Sequence, residues 1–260
     1  MIDAQQLQKL TPEAGTQLYK PVNATLNIEV RQKDDIRWLH QGGPAIQAAM
    51  SLTSPHSLML PYTQAMLLVL CLTQNHRTAL NLGLGGGMFV RFFEAMLPLL
   101  KLESVDNQPE MLAIMRQYFP SKTLATVHIT DARDFVSQQT STYDFILCDL
   151  FNGSTMPPCL FEPPFFRACA QRLGNRGVIA VNILAVDADT LTNLLINLRQ
   201  SLPCVAIMEL PDFQNIILFA SAEPFPEMNQ IRTRAEVLSS QFEIDFNCLL
   251  DALVMLPAKI

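Results

Sequence analysis

Charge is scarce in this chain. Asp, Glu, Lys and Arg make up 16% of its 260 residues against 49% hydrophobic, and 18 basic residues face 24 acidic ones for a formal net charge of −6. No basic run occurs. Phosphate backbones are held by concentrated basic faces, so nucleic acid is not expected as a partner. Long apolar runs are also missing: Ala65 to Leu72 falls well short of the roughly 20 residues a bilayer-spanning helix needs, and no membrane partner is expected. The opening MIDAQQLQKL lacks the basic-then-apolar order of a signal peptide. Cysteines Cys71, Cys148, Cys159, Cys169, Cys204 and Cys248 show no Cys-x-x-Cys spacing, and several sit in apolar runs where a thiol acts as a small hydrophobe. The histidines His40, His56, His76 and His128 show no metal-ligand spacing, so no metal is expected. These absences describe a reduced, soluble, cytoplasmic protein with much buried surface.

What is present is organised around Thr78 to Asp106, TALNLGLGGGMFVRFFEAMLPLLKLESVD. It reads as an apolar strand, a glycine turn at Gly83, Gly85, Gly86 and Gly87, a helix from Met88, and a second strand ending on Asp106. Such a turn lets backbone approach a nucleotide, and the helix start beyond it offers unpaired N–H groups. An acid at the next strand tip, about 20 residues on, commonly accepts the ribose hydroxyls. A dinucleotide site would carry its last glycine where Met88 stands. The spacing Gly83, Gly85, Gly87 suits adenosine without pyrophosphate, as in S-adenosylmethionine. No lysine follows the glycines, which argues against phosphate binding of the P-loop kind.

Before this unit, ATLNIEVRQ, DIRWLHQ and AIQAAMSL read as a small antiparallel sheet of three strands turned at KDD and broken by Gly42, Gly43 and Pro44. A buried apolar helix should start near Tyr62. After Asp106, a helix from Gln108 to Tyr118 precedes the strand LATVHIT, and Asp131 opens the next helix. YDFILCDL has the continuous apolar character of a central parallel strand and ends on Asp149. A helix from Glu162 to Leu173 and the strand VIAVNIL follow, then a helix capped by Asp187 or Asp189. CVAIMEL and NIILFAS, joined at Pro211 and Asp212, are too close for a crossover and should pair antiparallel. One or two amphipathic helices close the chain. Residues 1–56 thus form a small β domain, and residues 57–260 a doubly wound α/β domain with its ligand at the carboxyl ends of the strands. Gly83 to Gly87, Asp106, Asp131 and Asp149 all fall at such ends.

These motifs, with LPYTQAM, SVDNQPEM, ITDARDFV, YDFILCDLFNG and LFEPPFFRACAQRLGNRGVIAVNI, resemble the spermidine synthase (polyamine aminopropyltransferase) family, a branch of the class I methyltransferase fold. The resemblance implies a mostly parallel seven-stranded sheet behind a small N-terminal sheet, a homodimer, and S-adenosylmethionine or its decarboxylated form as co-substrate. It sets Gly83, Gly85 and Gly87 against the donor's amino-acid or aminopropyl end. Asp106, with Asn107 beside it, takes the ribose; Asp131 and Ala132 lie beside the adenine; Gln47 reaches the nucleoside; Tyr62 and Gln64 line the pocket. Asp149 matches the acid that takes a proton from the attacking amine. An alkyl amine of pKa about 10 is protonated near neutrality and is no nucleophile until that proton leaves.

The family's glycine-turn aspartate, its second aspartate after the fourth strand, and its hairpin Tyr-Gly-Gly are replaced here by Gly86, Asn152 and Phe213-Gln214-Asn215. A dication would be desolvated there with little anionic compensation. The expectation is therefore an aminopropyl or methyl transferase acting on an unidentified amine or other small acceptor, with Asn152 and Phe213 on the acceptor side. In a methyl transferase, Asn182 would join Asp149 at the acceptor. The alternative is a catalytically silent nucleoside-binding relative acting as a regulatory or assembly subunit.

Overall fold

The computed structural model describes residues 6, 9–11, 13–21, 27–41, 43, 45–122, 126–153, 155–184, 187–210 and 212–257. The expected break at Gly42 and Pro44, and Pro211 of the later turn, lie outside them.

The N-terminal sheet runs β1 (Thr16–Tyr19), β2 (Ile28–Lys33), β3 (Ile36–Gln41) and β4 (Ile46–Ser51), all antiparallel and in that order. The KDD turn holds Asp34 at φ 51, a conformation aspartate tolerates. Asp35 accepts hydrogen bonds from Ser51 Oγ, Thr53 N and Thr53 Oγ1, which closes the sheet's end. Strand β1 goes beyond the three strands read from sequence. It is a four-residue edge strand with no buried residue, so it carries no alternation to read.

The single helix expected near Tyr62 is two short ones, α1 (Pro61–Met66) and α2 (Val69–Leu72). Between them Leu67 N and Leu68 N donate three residues back, to Gln64 O and Ala65 O, a tightening that breaks the α-helical ladder.

The larger sheet alternates with helices as the strand and helix periods require. Its elements are β5 (Thr78–Leu82), α3 (Met88–Met96), β6 (Lys101–Asp106), α4 (Pro109–Tyr118), β7 (Thr126–Ile129), α5 (Ala132–Gln138), β8 (Tyr143–Cys148), α6 (Pro163–Arg172), β9 (Leu173–Leu184), α7 (Ala188–Arg199), β10 (Cys204–Glu209), β11 (Asn215–Ser221), α8 (Met228–Phe242), α9 (Phe246–Asp251) and β12 (Leu253–Met255). The order is β12-β10-β11-β9-β8-β5-β6-β7. Strands β5 to β9 pair in parallel, and β11 lies antiparallel to both β9 and β10 as read from the short CVAIMEL–NIILFAS connection. The eighth strand is β12, contributed by a tail expected to be only helical; it pairs with β10.

Alternation along the central strands feeds two apolar layers. Phe145, Leu147, Ala180, Ile217 and Phe219 face one side, with α1 to α4, α8 and the N-terminal sheet. Ile146, Cys148, Ile179, Val181, Ile183 and Leu218 face the other, with α5, α6 and α7. Two residues beyond Leu147 is Asp149, and two beyond Ala180 is Asn182; two before Ile217 is Asn215. A period of two therefore sets all three polar side chains on the first face, at one end of the sheet.

Candidate functional site

At that end, between the strand tips and the N-terminal sheet, lies a cavity of about 240 Å³. Its wall includes Gly83, Gly85, Asp106, Asn107, Asp131, Ala132, Gln47, Asp149 and Asn152, which were read from sequence as site residues.

The glycine turn is shaped by what surrounds it. Gly83 has φ +98, and a Cβ there would stand 2.1 Å from the Asp149 carbonyl oxygen. The same approach lets Asp149 N donate to Leu82 O at 2.8 Å, joining the tips of β5 and β8. Gly85, at φ +49, has nothing within 4 Å of its would-be Cβ and opens onto the cavity. Gly87 caps α3 in the left-handed region, with Met115 Sδ 2.7 Å from its would-be Cβ. It is off the cavity wall and packs on α4. Gly86 is pressed against the N-terminal sheet: a Cβ there would meet Ala48 Cβ at 2.5 Å. From behind, the buried Arg91 guanidinium donates to the carbonyls of Gly86, Phe119 and Pro55.

The carboxylates divide by what they hold. Asp106 Oδ2 accepts from Leu84 N at 3.0 Å and Oδ1 from Gln108 N at 2.9 Å, so this acid staples the glycine turn to the start of α4. Burial raises its pKa, against the pull of the Gln108, Leu84 and Gly85 amides. Asp131 Oδ1 caps α5, accepting from Arg133 N and Asp134 N. Asp149 meets side chains instead. Tyr62 Oη donates to Oδ2 at 3.1 Å and Asn182 Nδ2 to Oδ1 at 2.8 Å. Burial pushes the Asp149 carboxyl above the usual carboxylate range, with those two donors opposing it. The Tyr62 phenol is driven well above its ordinary value by burial first and by the Asp149 charge second.

The N-terminal sheet roofs the cavity through amides. Gln41 Nε2 donates to Gln108 Oε1 and Gln47 Nε2 to Gly153 O, each at 3.2 Å. Tyr62 is not on the cavity wall and reaches the site through Asp149. Gln64 is buried with its Nε2 donating to Leu58 O and is not on the wall of this cavity; Phe213 packs on the core away from the wall.

Sequence reading did not single out Gln41, Arg133 and Cys159, all on the wall. Arg133 had a signal, standing directly after the Asp131–Ala132 pair. Cys159 sits in the proline-rich loop after β8, and burial raises its thiol to about 11, so it stays neutral near pH 7. No cluster of metal-ligating side chains exists among the described residues, and no described helix is long and apolar enough to cross a membrane.

Comparison with known proteins accords with this geometry. A polyamine aminopropyltransferase of Chromobacterium violaceum is 29% identical over 234 residues, covering 86% of this chain and 88% of that one. A probable spermidine synthase from Corynebacterium glutamicum superposes with a TM-score of 0.72 at 18% identity, over 92% of this chain and 95% of the other. Human methyltransferase-like protein 13, solved in complex with SAH, superposes with a TM-score of 0.66 at 23% identity, over 71% of this chain and 93% of that one. The spermine/spermidine synthase domain matches residues 61–223, well over half of the chain, and the protein belongs to that family.

Proposed function

We propose that this chain binds an adenosyl sulfonium, S-adenosylmethionine or its decarboxylated form, and transfers an aminopropyl or methyl group from it to a small amine. The observation that carries the reading is Asp149: a carboxylate on the cavity wall, across the β5 tip from the glycine turn, with two side-chain donors on its oxygens among the described residues. A carboxylate has about four lone-pair sites, so Asp149 keeps capacity for a substrate N–H. Taking that proton as the nitrogen attacks the sulfonium carbon is worth about 10²–10⁴-fold, and the same contact holds the amine in line. Asp106 would accept the ribose hydroxyls, Asp131 and Ala132 would border the adenine, and Gly85 would pass the donor's side chain. Residues 1–56 serve as a roof over the 57–260 domain, through Gln41 and Gln47.

Aminopropyl transfer is supported by the family and by the Chromobacterium violaceum relative. Methyl transfer is favoured by one observation, Gly86: with Ala48 against it the glycine turn bears no acid for an aminopropyl ammonium, whereas a donor that keeps its carboxylate needs none. Isothermal titration with both sulfonium donors and methylthioadenosine tests the nucleoside half, and absence of all binding sinks the reading. Product analysis with donor labelled in the methyl or the aminopropyl carbon decides which group moves.

A further inference from the structure

Asn182 is 1% exposed in β9, between Asp149 and Asn215. In the β9–β11 ladder Asn182 is opposite Ile217, so Asn215 is its diagonal neighbour on the same face. Asn215 Nδ2 donates to Asn182 Oδ1 at 2.9 Å, and Asn182 Nδ2 donates to Asp149 Oδ1 at 2.8 Å. An amide has one accepting and one donating end. With Asn215 holding the accepting end, only the donating end is left for Asp149. Turned around, Asn182 would set an oxygen against Asp149 Oδ1, a contact that only a protonated carboxyl satisfies. The two-amide chain thus has a polarity, and the polarity drawn here matches an ionised Asp149.

We propose that Asn215 is a positioning residue which, through Asn182, keeps a hydrogen-bond donor on Asp149 and so holds that carboxylate ionised and fixed beside the cavity. The proposal rests on the reading of Asp149 as the proton acceptor. The titratable groups nearest Asp149 are the Tyr62 phenol from α1 and the adjoining Cys148 thiol on β8. Asp106, Asp131, Cys159 and Arg133 are on other parts of the cavity wall. Burial and the Asp149 charge keep both neighbours protonated well past neutrality, so the Asp149 carboxyl titrates before either.

The test reads Asp149 directly, by carbon-detected NMR titration of its carboxyl in the full-length protein, alongside the acid limb of the rate profile. Asn215→Asp offers an acceptor in place of a donor and turns the Asn182 amide. The Asp149 midpoint should rise by about one pH unit, a tenfold gain in proton affinity, and the acid limb should move with it. Asn215→Gln, which keeps an amide donor, should restore the parent midpoint to within a few tenths. An unchanged midpoint in folded Asn215→Asp overturns the proposal. So does a rise seen in Asn215→Asp and absent from Asn215→Leu, since a new charge at half-buried residue 215 would repel Asp149 with little screening by salt, whereas loss of the donor is common to both variants. If Asn215→Asp does not fold, Asn215→Leu decides: withdrawal of the donor should raise the midpoint by about half a unit, and no rise overturns the proposal. If no version transfers any group to any amine, the proposed function falls, while the titration still decides the role of Asn215.

Discussion

The two walls of the cavity use carboxylates in opposite ways. On the wall that the proposed function gives to the nucleoside, Asp106 and Asp131 are bound to backbone amides, so the chain path itself fixes them. On the wall that it gives to the acceptor, Asp149 is bound to Tyr62 and Asn182, side chains from elements 87 and 33 residues away in sequence. A backbone-held acid makes a rigid cradle whose charge is already partly answered. A side-chain-held acid has a charge that its neighbours can tune and a proton it can take. Under the proposed function, binding and chemistry rest on different supports, and each support can be removed separately.

The largest expected effect is on the acceptor wall. Asp149→Asn should lower the rate of transfer by about 10²–10⁴-fold, with nucleoside affinity by titration calorimetry unchanged; equal loss of both would show the walls to be one unit. The same variant has a stability signature. Burial raises the folded-state pKa of Asp149, so its contribution to stability is fully present below the ordinary value of about 3.9 and is lost as pH rises through the raised one. Asp149→Asn should therefore raise the melting temperature at neutral pH. In the parent protein, transfer activity should climb with pH through that raised value, above the usual aspartate range.

Next comes the hinge between the walls. Gly83→Ala forces a Cβ onto the Asp149 carbonyl at a φ that L-residues resist, and should cost roughly 2–4 kcal/mol in denaturant unfolding. Gly85→Ala, with open space around it, should cost only about 1 kcal/mol. On the nucleoside wall, Asp106→Asn removes the charge from a hydrogen-bonding acid. It should weaken nucleoside binding roughly 10–100-fold, the equivalent of about 1.5–3 kcal/mol, and leave the pH dependence of turnover in place. The smallest effect belongs to Tyr62→Phe. Loss of one donor to Asp149, about 1 kcal/mol, should reduce turnover roughly fivefold and move the acid limb upward, with nucleoside affinity constant.

The same contrast explains what could be read from the chain beforehand. The backbone-held half announces itself locally: a buried strand, glycines at positive φ and an acid at the following strand tip are contiguous in sequence. Asp131 could be read as a cap for the same reason, and the next cap as Asp187 or Asp189, of which Asp187 holds the position. Strand β12 could not be read so, because three residues in a helical tail join β10 only through tertiary pairing. The break at Leu67 and Leu68 lies in a run apolar on every side, where no periodicity marks a change of ladder. Gln64 shares its motif with Tyr62 but points inward, since two residues along a helix turn the side chain about 200° away. The chain from Asn215 through Asn182 to Asp149 spans three strands, and strand phase becomes visible only once the register is known.

The seating of Gly86 under Ala48 fixes an order of events for any change at this site. A carboxylate at residue 86 has no room until residue 48 loses its methyl group, so Gly86→Asp should be tolerated only after Ala48→Gly. Two positions 38 residues apart are bound into one step of descent, and a lineage that enlarges residue 48 closes off that branch of substrate choice.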